Sequence, residues 1–239
     1  MKIKTETMKL YYFLFTLSLI VAVSNVSFGQ DDEWETKTYQ LNDFREIYLK
    51  GGYKVYLIQG NENSLTVKAS DDKVFDYLKI RNNRSSLGLE IDRERFNFDR
   101  VNLYITFKNI ERVEIEGGVR LKTKGYLDLN DIYVSVEGGA KIELDMKARN
   151  VEVNGEGGVL FELNGVAEQL KVHLSGAGHV DASELKTKNV TFHVEGVGTG
   201  IVYATETLHA QIEGVGKVKY RGNPEVTKDI EGLGSVSRD

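Results

Sequence analysis

Leu174-Ser175-Gly176-Ala177-Gly178-His179-Val180, Val194-Glu195-Gly196-Val197-Gly198, Ile212-Glu213-Gly214-Val215-Gly216-Lys217-Val218 and Ile230-Glu231-Gly232-Leu233-Gly234-Ser235-Val236 are four versions of one phrase. Apolar residues alternate with polar ones, a residue that is usually acidic follows, a glycine turn interrupts, and alternation resumes. Upstream the phrase reads Ile115-Glu116-Gly117-Gly118, Val136-Glu137-Gly138-Gly139 and Gly155-Glu156-Gly157-Gly158. The first glycines of the turns, at 117, 138, 157, 176, 196, 214 and 232, are 21, 19, 19, 20, 18 and 18 residues apart. A period near twenty is the mark of stacked units that bury an apolar edge only against a neighbour.

Counting back from each turn glycine, the residues two, four and six positions earlier are mostly apolar. The sets are Ile132, Val134, Val136; Leu170, Val172, Leu174; Val190, Phe192, Val194; and Leu208, Ala210, Ile212. Side chains alternate across a strand, so each set shares one face. This pattern predicts an all-β chain, a parallel β-solenoid of coils near twenty residues with glycine corners. An antiparallel stack of hairpins would show the same alternation. The expected organisation is a signal peptide over 1–29, a flexible leader over 30–43, and one solenoid domain over 44–239, with irregular coils at 44–110 and regular repeats at 111–239.

The start of the chain has the layout of a secretory signal. Lys2, Lys4 and Lys9 precede an uncharged run from Leu10 to Val23, and Ser27-Phe28-Gly29 supplies small residues for cleavage after Gly29. Met8 is an alternative start. The uncharged run is shorter than the roughly 20 residues of a bilayer span. Loss of 1–29 removes a net charge of +2 and takes the chain from −5 to −7. That acidic balance disfavours nucleic acid and anionic membrane as partners. The chain has no cysteine, which excludes disulfides and thiolate metal sites.

Nearer the start, Trp34 reads as a pin for the leader, and Val74, Phe75 and Leu78 as the apolar face of a short helical turn within Asp71 to Lys79. Between two alternating runs, Asp92 to Arg100 interleaves Arg93, Arg95 and Arg100 with Phe96 and Phe98. Asp92, Glu94 and Asp99 cancel the charge locally, which favours a solvated hairpin loop over a nucleic-acid or sugar site.

Within this frame the chain resembles the GIN-domain family of auto-transporter adhesin heads of bacterial envelopes. The resemblance is carried by Phe44-Arg45-Glu46-Ile47, by Tyr53-Lys54-Val55-Tyr56-Leu57-Ile58-Gln59-Gly60, by Val101 to Gly117, by the Ser-Gly-Ala-Gly and Glu-Gly-Val-Gly turns, and by Tyr220-Arg221-Gly222-Asn223-Pro224. It differs in having Glu where many turns of the family carry Ser, and Gly-Gly in the first three turns. The resemblance implies a signal peptide, a right-handed β-helix-like fold and an envelope location, and brings no catalytic residues.

No catalytic constellation emerges from the residues themselves. Gly196-Val197-Gly198-Thr199-Gly200 lacks the following helix that would hold a phosphate. Ser175 lies near His173 and Asp181 without a nucleophile elbow. Polysaccharide cleavage needs a cleft built by long loops, and intervals of 18 to 21 leave no residues for them. The residue before each turn glycine is Glu116, Glu137, Glu156, Ser175, Glu195, Glu213 and Glu231. In register, the six carboxylates form one edge. Such an edge is relieved by protonation, by basic partners or by a cation such as calcium; a solvated edge with no bound ion is the favoured reading. His173 and His193, both three residues before their turn glycine, stack as a pair that would admit zinc, but Gln211 fills the next position. Two ligands make a poor site, so a polar ladder is expected there.

The functional expectation is a non-catalytic, cofactor-free, adhesin-like binding module, exported to the periplasm or cell surface. It would present a rigid polar face, including Tyr133 and Thr191, to a glycan or an envelope or extracellular protein. Alternatives are a self-associating structural protein and, third, a polysaccharide-active enzyme. Lys228 and Asp229 read as a polar cap on the last strand, favouring a monomer or limited homo-oligomer.

Overall fold

The computed structural model describes residues 34–91 and 100–239. The expected signal peptide and its cleavage after Gly29 lie outside the described residues, as does the aromatic and basic loop apart from Arg100. The strands are β1 (Glu35–Gln40), β2 (Glu46–Gly51), β3 (Lys54–Gln59), β4 (Ser64–Ala69), β5 (Leu78–Asn82), β6 (Ser86–Ile91), β7 (Val101–Phe107), β8 (Arg112–Gly117), β9 (Arg120–Thr123), β10 (Leu127–Asp128), β11 (Asp131–Arg221) and β12 (Glu225–Arg238). One short helix, α1 (Val74–Tyr77), sits where the helical turn was expected and buries Val74.

The all-β class holds, but the all-parallel solenoid does not form. The strands make a single 12-stranded mixed sheet in the order β1-β4-β7-β3-β9-β11-β8-β2-β6-β5, with β10 and β12 pairing with β11. β1–β4, β4–β7 and β5–β6 are antiparallel. Connection length explains the reversals. Only Asn83 to Ser85 separate β5 from β6, and a parallel pair needs a crossover of about a dozen residues or more. Asn83 locks this turn by accepting hydrogen bonds from the Ser85 and Ser86 amides at 3.0 and 2.9 Å. Gly60 to Asn63 likewise turn β4 back, and β7 enters between β3 and β4, parallel to the first and antiparallel to the second.

Two further expectations are corrected. The flexible leader is, from Glu35 to Gln40, edge strand β1, in register with β4 from Glu35 opposite Ala69 to Gln40 opposite Ser64. The Thr38 and Thr66 hydroxyls meet across that pair at 3.0 Å. Nor do residues 111–239 divide into separate two-strand units, since β11 is continuous from Asp131 to Arg221. It bends at positive-φ glycines instead of ending there.

What the glycine spacing encodes is a column. Gly117, Gly138, Gly157, Gly176, Gly196, Gly214 and Gly232 each approach the backbone of the preceding member, and Gly117 approaches Gly51. At Gly196 φ is +110°, and a Cβ there would lie 2.8 Å from the Gly176 carbonyl oxygen. Both the angle and the contact reject a side chain. The pairing that results is parallel, with Gly51 opposite Gly117 and Gly214 opposite Gly232.

The predicted inward sets are all buried, and Phe107, Phe161 and Phe192 are the largest side chains without solvent exposure. Among the buried polar residues, Asn63 donates to Asp43 at 2.7 Å and accepts from the Lys108 amide at 3.0 Å. Gly196→Ala is expected to lower the unfolding free energy by at least about 1–2 kcal/mol, the cost of a left-handed backbone angle for an L-residue. Gly139→Ala, where a Cβ meets nothing within 4 Å, should leave it unchanged. Urea denaturation of both variants checks this; equal losses would contradict the column.

Candidate functional site

Residues that alternate outward from the glycine column form a polar face whose side chains meet from one pass of the chain to the next. Lys122 and Lys141 contact Glu143 at 2.9 and 2.7 Å, and Lys141 reaches Glu162 at 2.9 Å. Arg112 lies 4.1 Å over the Tyr133 ring, whose hydroxyl accepts a hydrogen bond from Asn154 at 2.9 Å. Tyr133 is therefore half-covered by its neighbours and is not a free platform. Thr191 is exposed.

The six glutamates are distributed among different neighbours. Glu116 pairs with Lys50 at 2.6 Å, and this carboxylate raises the Lys50 pKa. Glu116 and Glu137 are opposite one another in β8 and β11, as are Glu213 and Glu231 in β11 and β12. Glu137 and Glu156 are exposed. Glu195 and Glu213 approach the His193 Nε2 at 3.6 and 3.4 Å. Basic partners and imidazole thus face parts of the edge, and among the described residues the glutamates do not by themselves converge on one point.

An open groove of roughly 700 Å³ runs along one corner of the sheet, with Gln59, Lys108, Asp128, Lys147, Arg149 and Glu168 in its walls. Gln59 joins its two sides, donating to the Lys108 and Asp128 carbonyls at 3.3 and 2.9 Å and accepting from the Asp128 amide at 2.7 Å. Beside it Asp131 accepts from Arg149 at 3.0 Å and from Asn150 at 2.6 Å. Arg149 holds the Asp131 carboxyl below the usual carboxylate range, with Asn150 contributing. Val166 is exposed in the groove, and Tyr126, also exposed, lies against neighbouring Gly165. The sequence signal for this corner is the recurrence of asparagine at Asn109, Asn130 and Asn150, away from the glycine turns.

The groove offers amide, carboxylate, ammonium and guanidinium groups on a frame fixed by the sheet. Such a set can hydrogen-bond hydroxyls and pair with charges. Among the described residues no helix is long and apolar enough to cross a membrane.

The family described as "Putative auto-transporter adhesin, head GIN domain" matches residues 43–224. The chain belongs to that family. Its fold also recurs in solved structures. One is a "putative adhesin" from Bacteroides fragilis, with TM-score 0.81 and 21% identity, covering 87% of this chain and 98% of that one. Another, a "putative adhesin" from Parabacteroides merdae, has TM-score 0.69 and 16% identity over 87% of this chain and 96% of that one. A "putative lipid binding protein" from Parabacteroides distasonis has TM-score 0.68 and 20% identity over 86% and 96%. At these identities the likeness is one of fold. No functionally curated protein matches the chain.

The ion pairs give the fold an acid dependence of known sign. Lys141, then Lys122, lower the Glu143 pKa. A carboxylate whose folded pKa lies below its unfolded value of about 4 stabilises the fold above that pH, and the contribution is lost as pH falls through the folded pKa. Stability is therefore expected to decline between about pH 5 and pH 2. Glu143→Gln should flatten that decline, measured by urea unfolding across the range. An identical slope in the variant would show that this carboxylate does not contribute.

Proposed function

We propose that the chain is an exported, non-catalytic binding module of the bacterial cell envelope, released after Gly29, that holds an extracellular glycan or protein against its polar face. The observation that carries the reading is the groove beside Gln59 and Arg149. It is large enough for a small ligand or a short stretch of a polymer. Its polar groups are also anchored to the backbone or to one another, so little ordering is needed on binding. The family's description as an adhesin head agrees with this use.

Self-association is a second reading, favoured by β12. Its inward Val226, Ile230 and Val236 are only partly buried, and Leu233 is 77% exposed, so the apolar interior is open at this end. An edge strand of 14 residues also presents unpaired backbone groups.

An array of glycans and extracellular matrix proteins probed with residues 30–239 tests the first reading. Saturable binding is expected, and it should be lost when Lys108→Glu and Lys147→Glu reverse charge in the groove. Binding that survives the reversal, or a blank array with a folded protein, would overturn the groove as the site. Light scattering that grows with concentration would instead support assembly through β12.

A further inference from the structure

The paired imidazoles acquire the third ligand that their sequence positions withheld. Among the described residues, His173, His193 and Glu195 are the group of metal-ligating side chains whose donor atoms, one from each, all lie within 4.8 Å of one another. His193 and Glu195 are two apart on β11 and therefore share its outer face. His173 comes from the preceding pass, where Ser175 occupies the position that Glu195 fills in the next. The small serine leaves Glu195 as the carboxylate common to both rings, 4.0 Å from the His173 Nε2 and 3.6 Å from the His193 Nε2.

The two Nδ1 atoms, 3.3 Å apart, are in hydrogen-bond contact, so the Nε2 atoms, which face Glu195, are the ones left for an ion. Two further details separate this cluster from a solvated polar ladder. The rings meet edge to face, 4.9 Å between centroids and 70° between planes, so they do not stack flat. The His193 Nε2 is shut off from solvent and makes no hydrogen bond, although two carboxylates face it. Glu213, 3.4 Å from that nitrogen, is placed to act as a further ligand.

We propose that His173, His193 and Glu195 bind one zinc-class divalent transition-metal ion, with Glu213 supporting the site and water completing the coordination. Two imidazoles and a carboxylate suit zinc or its neighbours better than calcium or magnesium, which prefer all-oxygen shells. The ion would bridge two passes of β11 on the outer face. The proposal is independent of the groove and of adhesion.

Calorimetric titration of residues 30–239 with zinc is the test, with calcium and magnesium in parallel. One zinc per chain is expected, with a raised unfolding temperature and no comparable response to the other two ions. His193→Gln and Glu195→Gln should each weaken zinc binding at least about tenfold. Glu156→Gln and His209→Gln, outside the cluster, should not. Circular dichroism and the metal-free unfolding temperature verify that each variant is folded. Absence of one-to-one zinc binding, or equal binding by a folded His193→Gln variant, would overturn the site.

Discussion

The contact on which the rest depends is backbone against backbone at the glycine column. Gly51 begins it in β2 and Gly232 ends it in β12. Each member brings its chain close enough to the previous one that no side chain fits between them, and each holds a positive φ that side-chain-bearing residues resist. A one-residue slip in pairing would turn every inward valine, leucine and phenylalanine outward. The column opposes that slip, because a slipped register would set a glutamate where only glycine fits. The apolar interior and the polar exterior are thus held in place by the same eight positions.

Stacking in register has an electrostatic consequence. Equivalent outward residues come to lie above one another, so a recurring glutamate becomes a line of like charge. Relief differs along the line. Near its start Lys50 faces Glu116; further on Lys122 and Lys141 serve the neighbouring row at Glu143; near its end His193 lies between Glu195 and Glu213. Exposed pairs of this kind contribute little singly. Their collective effect is a face with alternating charge whose side chains are held by neighbours on both sides.

Much of this was legible in residue order. Period-two alternation identifies the buried faces, the turn glycines identify the column, and Val74 lies on the apolar face of the short helix α1, as its spacing predicts. Strand direction was not legible, because alternation is the same in parallel and antiparallel pairs. The information lay in connection length, the three residues from Asn83 to Ser85 and the four from Gly60 to Asn63. Glu35 to Gln40 follow the acidic run Asp31-Asp32-Glu33, a composition that suits a solvated tail, whereas β4 offers an edge with which Thr38 and Tyr39 pair. The His173–His193–Glu195 cluster is hidden in residue order for a geometric reason. Columns three residues and one residue before the glycine are separate in the sequence, yet both point outward and side chains from adjacent columns touch diagonally.

Register along the column is open to direct measurement because the chain has no cysteine of its own. Glu116→Cys combined with Glu137→Cys places two thiols on directly opposed residues of β8 and β11. Stacked glycines predict that this pair oxidises readily to an intramolecular disulfide, since directly opposed residues fall within the roughly 4.4–6.8 Å Cα spacing that a disulfide spans. Glu116→Cys with Ser135→Cys, displaced by two residues, should remain reduced under the same conditions. Preferential cross-linking of the displaced pair would mean that the column is not the element that sets the register.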